Sequence, residues 1–420
     1  MSFQQGLSGL NASSKNLEII GNNIANANTY GAKASRAEFA AVYATALNGA
    51  GTNTVGIGTT LQMVAQQFTQ GNVSTTDNPL DLAINGAGFF QVSDGQSPVS
   101  YTRNGQFKVD RDGYIVNNAR ARLLGYAADG NGVIQPGASV PLRLPTGGID
   151  PNQTTRVSLE FNLDARVGVT ASGGPPLIDF GDATTYNNAT SLTMYDLKGQ
   201  DVAVSLYFQK AANDQWNVFA TANGATIGGT TAAPAPITTL DFPNNGAAPT
   251  APTAPVAVNV AASTNAQGAL TEPFTGLLFD FGGATQFGSA FGVTDMRQDG
   301  YSAGLLSSIA VDADGVIMAR YSNGQSKPSG QIEIANFRNP QGLQPLGDNA
   351  WARTSASGDP FFGVPGDGNL GVLQAGALEE SNVDLTGELV NMITAQRIYQ
   401  ANAQTIKTQD QVLQTLVNLR

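Results

Sequence analysis

The sequence predicts a multidomain α plus all-β chain: a helix at each end, the two packing together, a β domain in two pieces, and a second β domain inserted between those pieces. Three observations carry this. Both ends repeat apolar residues at alternating steps of three and four, the a/d spacing of a coiled coil, while most of the chain between them alternates with period two or breaks into Gly- and Asp-rich turns. One motif occurs twice, Asp110-Arg-Asp-Gly113-Tyr-Ile-Val116 and Asp312-Ala-Asp-Gly315-Val-Ile-Met318. The stretch between its two copies has another texture, with an Ala-, Thr- and Pro-rich tract from Thr230 to Ser263.

The N-terminal helix is expected over residues 2–27. Its stripe runs Phe3, Leu7, Leu10, Ser14, Leu17, Gly21 and Ile24, with Ile20 beside it. Asn11, Asn16, Asn22, Asn23 and Asn26 and the glycines Gly6, Gly9 and Gly21 lower its propensity, so alone in water it is largely unfolded and becomes ordered on packing. Turn chemistry ends it near Gly31. Residues 31–72, with 373–379 on the return, read as a connector, made flexible by Gly49, Gly51, Gly56 and Gly58.

The first β domain spans 73–147 and 293–372. Leu80, Leu82 and Ile84 alternate, Phe89, Phe90 and Val92 resume after two glycines, and short strands follow between Asp-Gly turns. The inserted β domain covers 148–292, where Val157, Leu159, Phe161 and Leu163 give the cleanest alternation and Val202, Val204, Leu206 and Phe208 the next. The Ala/Thr/Pro tract is expected on its outer surface as extended loop.

The last helix, from Asp384, would span roughly 55 Å at 1.5 Å per residue. Its seam runs Leu385, Leu389, Met392, Gln396, Tyr399, Ala403, Ile406, Asp410, Leu413 and Val417. Val390, Ile393, Ile398, Val412, Leu416 and Leu419 lie off that seam, and the remaining positions are largely Gln and Asn. A two-helix contact needs one stripe, so the surplus apolar surface calls for further neighbours. The helical domain is therefore drawn from 1–30 and 380–420.

Composition narrows function. The chain has no His and no Cys and is 13% charged, about half the usual level. Imidazole bases, thiolates, disulfides and the commonest zinc and copper ligands are absent together, which argues against an enzyme and against a metal or other cofactor. A net charge of −11 without a visible basic patch argues against nucleic acid. No apolar run is long enough to span a membrane, and no cleavable signal peptide is visible. The Asp-x-Asp-Gly turns fail as calcium loops, because Ala121 and Asn323 stand at the twelfth position. Gly366-Asp-Gly-Asn-Leu-Gly371 opens no helix, so it is no dinucleotide loop, and Glu379 and Glu380 read as an ordinary surface pair. A secreted carbohydrate-active or adhesive β protein is the rival reading.

Asn22-Asn-Ile-Ala-Asn-Ala-Asn-Thr-Tyr-Gly31-Ala-Lys33 resembles the signature of the bacterial flagellar rod and hook axial proteins, carried by Asn22, Asn23, Ala25, Asn26, Thr29, Gly31 and Lys33. The stretch from Glu380 to Asp410 resembles its C-terminal companion, and Asn85-Gly-Ala-Gly-Phe-Phe90 and Tyr101-Thr-Arg-Asn-Gly-Gln-Phe107 match the family's first β domain. Ala32 departs from the usual Phe. The length and the large insertion point to a hook member rather than a rod member, with a distal rod or other flagellar axial protein as the alternative. The resemblance implies a subunit of a flexible tube, a homopolymer of many copies that passes torque as a universal joint. Its terminal helices would form an inner coiled-coil layer through Leu7, Leu10, Leu17, Ile20, Ile24, Leu389, Met392, Ile393, Tyr399, Ile406, Leu413, Leu416 and Val417. It also implies an extracellular place in the flagellum and, as partners, the distal rod, the hook cap, the hook–filament junction proteins and the flagellar type III export apparatus. Phe3 and Leu7 fit an export pattern, and the same two residues lie on the helix stripe.

Overall fold

The computed structural model describes residues 2–42, 56–171 and 177–418. The chain separates into two units: 1–146, 308–320 and 326–420 form unit one, and 147–307 and 321–325 form unit two.

Unit one begins with α1, Ser2–Ala25, and ends with α2, Leu385–Asn418. Asp384 caps α2 by accepting from the backbone N–H of Thr386 at 3.0 Å. The two helices pack antiparallel: Gly6 faces Ile406, Gly9 faces Asn402, and Asn23 donates to Glu388 at 3.2 Å. In this register α2 continues past the start of α1 for the residues beyond about 409.

The segment expected as a bare connector carries structure. Strand β1, Ser35–Val42, pairs antiparallel with β2, Gly58–Gln66. The pair lies along α1, where Gln5 donates to the Gly56 carbonyl at 2.6 Å and Ser8 accepts from the Thr59 N–H at 3.3 Å. Gly49 and Gly51 lie outside the described residues. Alternation of Arg36 and Glu38 with Ala37 and Phe39 is a strand pattern, and the glycine count masked it.

The main sheet of unit one joins both halves of the split domain. Its path runs Leu306–Val311, Val316–Tyr321, Ser326–Ile332, Arg122–Ala127, Phe89–Ser93, Ser100–Thr102, Ala350–Ala352 and Gln344–Gly347. Beneath it Leu82, Ile84, Phe90, Phe107, Leu123, Ile317 and Ile332 form one core. Both Asp-x-Asp-Gly motifs are turns, with Gly113 and Gly315 at φ +87° and +81°, a backbone state that costs glycine little.

Unit two is a two-sheet sandwich. One sheet orders Val256–Val260, Phe274–Asp280, Arg156–Asn162 and Gly292–Gln298; the other orders Asn188–Tyr195, Asp201–Ala212, Gln215–Ala222 and Ala225–Ile227, with Thr238–Asp241 also on Gln215–Ala222. Val157, Leu159, Phe161, Phe208, Trp216 and Phe279 fill the space between them. Two expectations change here. Gly292–Gln298 pairs with Arg156–Asn162, so the chain leaves this unit after Ser307 and not at 293. The Ala/Thr/Pro tract is not only outer loop: Leu240, Phe242, Val258 and Val260 within it are buried, because its few large apolar residues sit where strands need them.

Candidate assembly surface and the joint behind it

The face of α1 that meets the rest of its own chain is not the apolar stripe. Gly6, Ser13, Ile20 and Asn23 are its buried positions, one residue out of step with Phe3, Leu7 and Leu10. On α2 the inward residues are Glu388, Met392, Ala395, Asn402 and Ile406. Small side chains let the helices approach closely: a Cβ at Gly9 would stand 2.9 Å from the Asn402 amide, and one at Gly6 would stand 3.1 Å from Ile406. Met392 and Ile406 thus belong to the intramolecular contact. Ile20, 5% exposed, is enclosed within the single chain, so its assignment to contacts between copies is corrected. Leu10, Leu17 and Ile24 are half-buried.

What remains outside is apolar. Phe3, Leu7, Leu389, Ile393, Tyr399 and Leu413 are exposed, with Leu7 at 45%, Ile393 at 52% and Leu413 at 54%. Val390, Ile398 and Val412 join them on α2, and Phe39, Met63 and Val64 on the hairpin. The side chains of Leu416 and Val417 lie outside the described residues. The polar positions of α2 carry little charge, and Thr394, Thr405, Thr408 and Thr415 each donate to the carbonyl four residues back, which satisfies their hydroxyls within the helix. Such a helix is poorly solvated on most of its circumference.

Behind this surface the signature residues build a joint. Asn23 holds both backbone groups of Ser35, donating to its carbonyl and accepting from its N–H at 2.8 Å each. Asn26 donates to the Asn22 carbonyl at 3.0 Å, and the Asn26 carbonyl accepts from the Thr29 N–H. Gly31, at φ +69°, donates to the Glu379 carbonyl, and a Cβ there would run into the Asn104 and Arg103 backbone at 2.6 to 2.7 Å. Asn22 and Ala25 are exposed, and Asn22 enters the joint only as an acceptor for Asn26.

Lys33 is fully buried and donates to the Glu379 carboxylate at 2.5 Å and to the Thr69 carbonyl at 2.8 Å. Arg103, itself 5% exposed, pairs with the other Glu379 oxygen at 3.1 Å, and the Gly71 N–H donates to Glu379 at 3.0 Å. One carboxylate therefore ties four chain segments together. Burial pushes the Lys33 ammonium and the Arg103 guanidinium below their ordinary values, and in each case the Glu379 charge opposes that fall. Asn382 completes the joint, donating to the Gln67 carbonyl at 2.7 Å and accepting from the Ala34 N–H at 2.7 Å. Glu379 is thus no surface carboxylate. Neither it nor Arg103 or Asn382 stood out in the sequence; the available signal was scarcity, since in a chain this poor in charge each ionic residue inside a family motif has a partner to find.

Comparison with known proteins then decides the family. Four family descriptions match in order: "Flagella basal body rod protein" at residues 3–33, "Flagellar hook protein FlgE/F/G D1 domain" at 83–159, "Flagellar basal body protein FlaE D2 domain" at 162–301, and "Flagellar basal body rod FlgEFG protein C-terminal" at 374–419. The flagellar hook protein FlgE of Salmonella typhimurium is 42% identical over 424 residues, covering 100% of both chains. The chain belongs to the flagellar hook protein family. It is a structural subunit of the flagellar hook and not an enzyme. The hook protein of Borreliella burgdorferi is 33% identical over 100% of this chain and 99% of its own. The crystal structure of Helicobacter pylori flagellar hook protein FlgE2 shares the fold, with a TM-score of 0.52 and 14% identity over 73% of this chain and 99% of that one. No helix among the described residues is long and apolar enough to cross a membrane.

Proposed function

We propose that copies of this chain assemble into a flexible helical tube that passes torque from rod to filament, with the terminal helices of neighbouring copies packed as an inner coiled-coil layer and the β units outside it. The observation that carries this is the unspent apolar surface of both helices: the intramolecular contact uses Gly6, Gly9, Ser13 and Ala395, and leaves Leu7, Leu389, Ile393 and Leu413 facing water. Hydrophobic area of this kind is covered by neighbours in stable assemblies.

The joint supports a reading of where the compliance lies. Lys33, Arg103 and Glu379 hold both ends of the 31–72 segment to the first β domain, which favours bending at contacts between copies. Export by the flagellar type III apparatus, delivery to an extracellular hook, and contacts with the distal rod, the hook cap and the hook–filament junction proteins complete the reading. The test is sedimentation and electron microscopy of purified chain. Tubes form with intact ends and are lost when about 30 residues are trimmed from each, the lengths of α1 and α2. Tubes from the trimmed chain refute the reading.

A further inference from the structure

Within this acidic chain, three cationic side chains converge on one groove. Lys108, Arg120 and Arg122 line a groove of about 470 Å³ in unit one, together with Val109, Asn117 and Asn118. Lys108 and Arg120 are exposed, and Arg122 is held with its guanidinium 4.1 Å from the centre of the Tyr114 ring. Among the described residues none of the three makes an ion pair. Asp110 also lines the groove, but its Oδ1 is turned to the backbone N–H groups of Asp112 and Tyr114 at 2.9 and 2.8 Å.

A second observation singles out Arg120. It closes a tight turn, its N–H donating to the Asn117 carbonyl at 3.0 Å, with φ +63°. Three Asp-started turns of unit one close on glycines instead, Gly113, Gly132 and Gly315 at φ +87°, +82° and +81°, and the other non-glycine residues of the unit at such φ are the short Asp348 and Asn349. A long side chain at left-handed φ costs backbone free energy that glycine avoids, and among the described residues Arg120 has no ion pair to offset it.

The negative charge lies in the other unit. Unit two holds thirteen Asp and Glu against five Lys and Arg, so it carries most of the chain's net −11. Its Asp179 and Asp182 are exposed, and among the described residues their carboxylates accept from local N–H and O–H groups.

We propose that the Lys108–Arg120–Arg122 groove of one copy receives carboxylates from unit two of another copy, Asp179 and Asp182 foremost, and that this contact sets the register and the rate of assembly. This rests on the polymer reading above. Complementary potentials steer docking and reject wrong registers more than they add affinity.

The test follows tube growth by turbidity and electron microscopy. Arg120→Gly is expected to hold or raise the melting temperature of the unassembled chain, because glycine suits the turn, yet to slow growth severalfold. Lys108→Glu with Arg120→Glu slows it about tenfold or more. The difference from wild type closes as salt rises from about 0.1 to about 1 M, where the screening length falls from ~10 to ~3 Å. Adding Asp179→Lys and Asp182→Lys to the groove-reversed chain restores growth. Groove variants that grow at the wild-type rate, or a reversed pair that gives no rescue, overturn the proposal while the polymer reading stands. Wild-type chain that forms no tubes removes both.

Discussion

Glu379→Gln tests the joint at its centre. The substitution keeps the shape and one carbonyl oxygen, and removes the charge that pairs with Lys33 at 2.5 Å and Arg103 at 3.1 Å. Two cations are then left inside unit one with a neutral partner. Breaking a buried ion pair from one side costs about 3–5 kcal/mol, because the remaining charge keeps its desolvation penalty. For a unit of roughly 250 residues that is a fall in Tm of about 6–20 °C. The loss has a pH signature. Burial already holds the Lys33 pKa below 10.5, and removing Glu379 takes away the main effect opposing that fall. Between the depressed folded value and 10.5 the unfolded chain binds the extra proton, so stability rises with pH there, and the variant recovers part of its deficit as pH climbs toward 10.5. Calorimetric melting at pH 7 and pH 10 reads both effects, and hydrogen exchange at the Gly71 amide, which donates to Glu379, reports the local opening. A Tm change under about 2 °C at pH 7, or a deficit that grows with pH, would refute the argument.

Four further perturbations test the structure and its assembly. Gly9→Val drives side-chain carbons into Asn402, where even a Cβ would stand 2.9 Å away, and is expected to destabilise the α1–α2 pair by about 1–3 kcal/mol in thermal melts, with Asn402→Ala in the same chain recovering most of it. Tyr126 donates to Glu333 at 2.6 Å, and burial together with that carboxylate pushes its pKa up to about 12; its stabilising contribution is complete below pH 10 and lost as pH rises through 12, so Tyr126→Phe melts earlier in urea at pH 8 and the gap narrows above pH 11. Leu7→Gln with Leu389→Gln leaves the melting of the isolated chain within about 0.5 kcal/mol, because both residues face solvent, and abolishes tubes in electron micrographs. A secretion assay on Phe3→Ala in cells that cannot assemble hooks separates export from packing: normal secretion assigns Phe3 to packing alone.

Much of the architecture was legible. The two helices, the strand alternation at Val157–Leu163 and Val202–Phe208, and the paired Asp-Gly turns each state a local period or a backbone requirement, and such signals survive without knowledge of neighbours. The pairing of Ser35–Val42 with Gly58–Gln66 was hidden because glycine content suggested a linker, and strands this exposed show only weak alternation. Part of the Ala/Thr/Pro tract entered the core for the opposite reason: four large apolar residues in a small-residue background suffice to hold strands down once a sandwich surrounds them.

The candidate surface divides along the same line. Heptad spacing at Phe3–Ile24 and Leu385–Val417 established that helices with sticky sides stand at both ends, since side-chain periodicity follows from helix geometry alone. Which stripe each helix spends on its own chain was decided only in three dimensions. The closest approach goes to the smallest residues, so Gly6, Gly9 and Ser13 face inward while Leu7, Leu389 and Leu413 stay exposed. The Glu379 cluster belongs wholly to the tertiary level: positions 33, 71, 103 and 379 are far apart along the chain, and a carboxylate gains its worth only where the fold brings cations to it away from water.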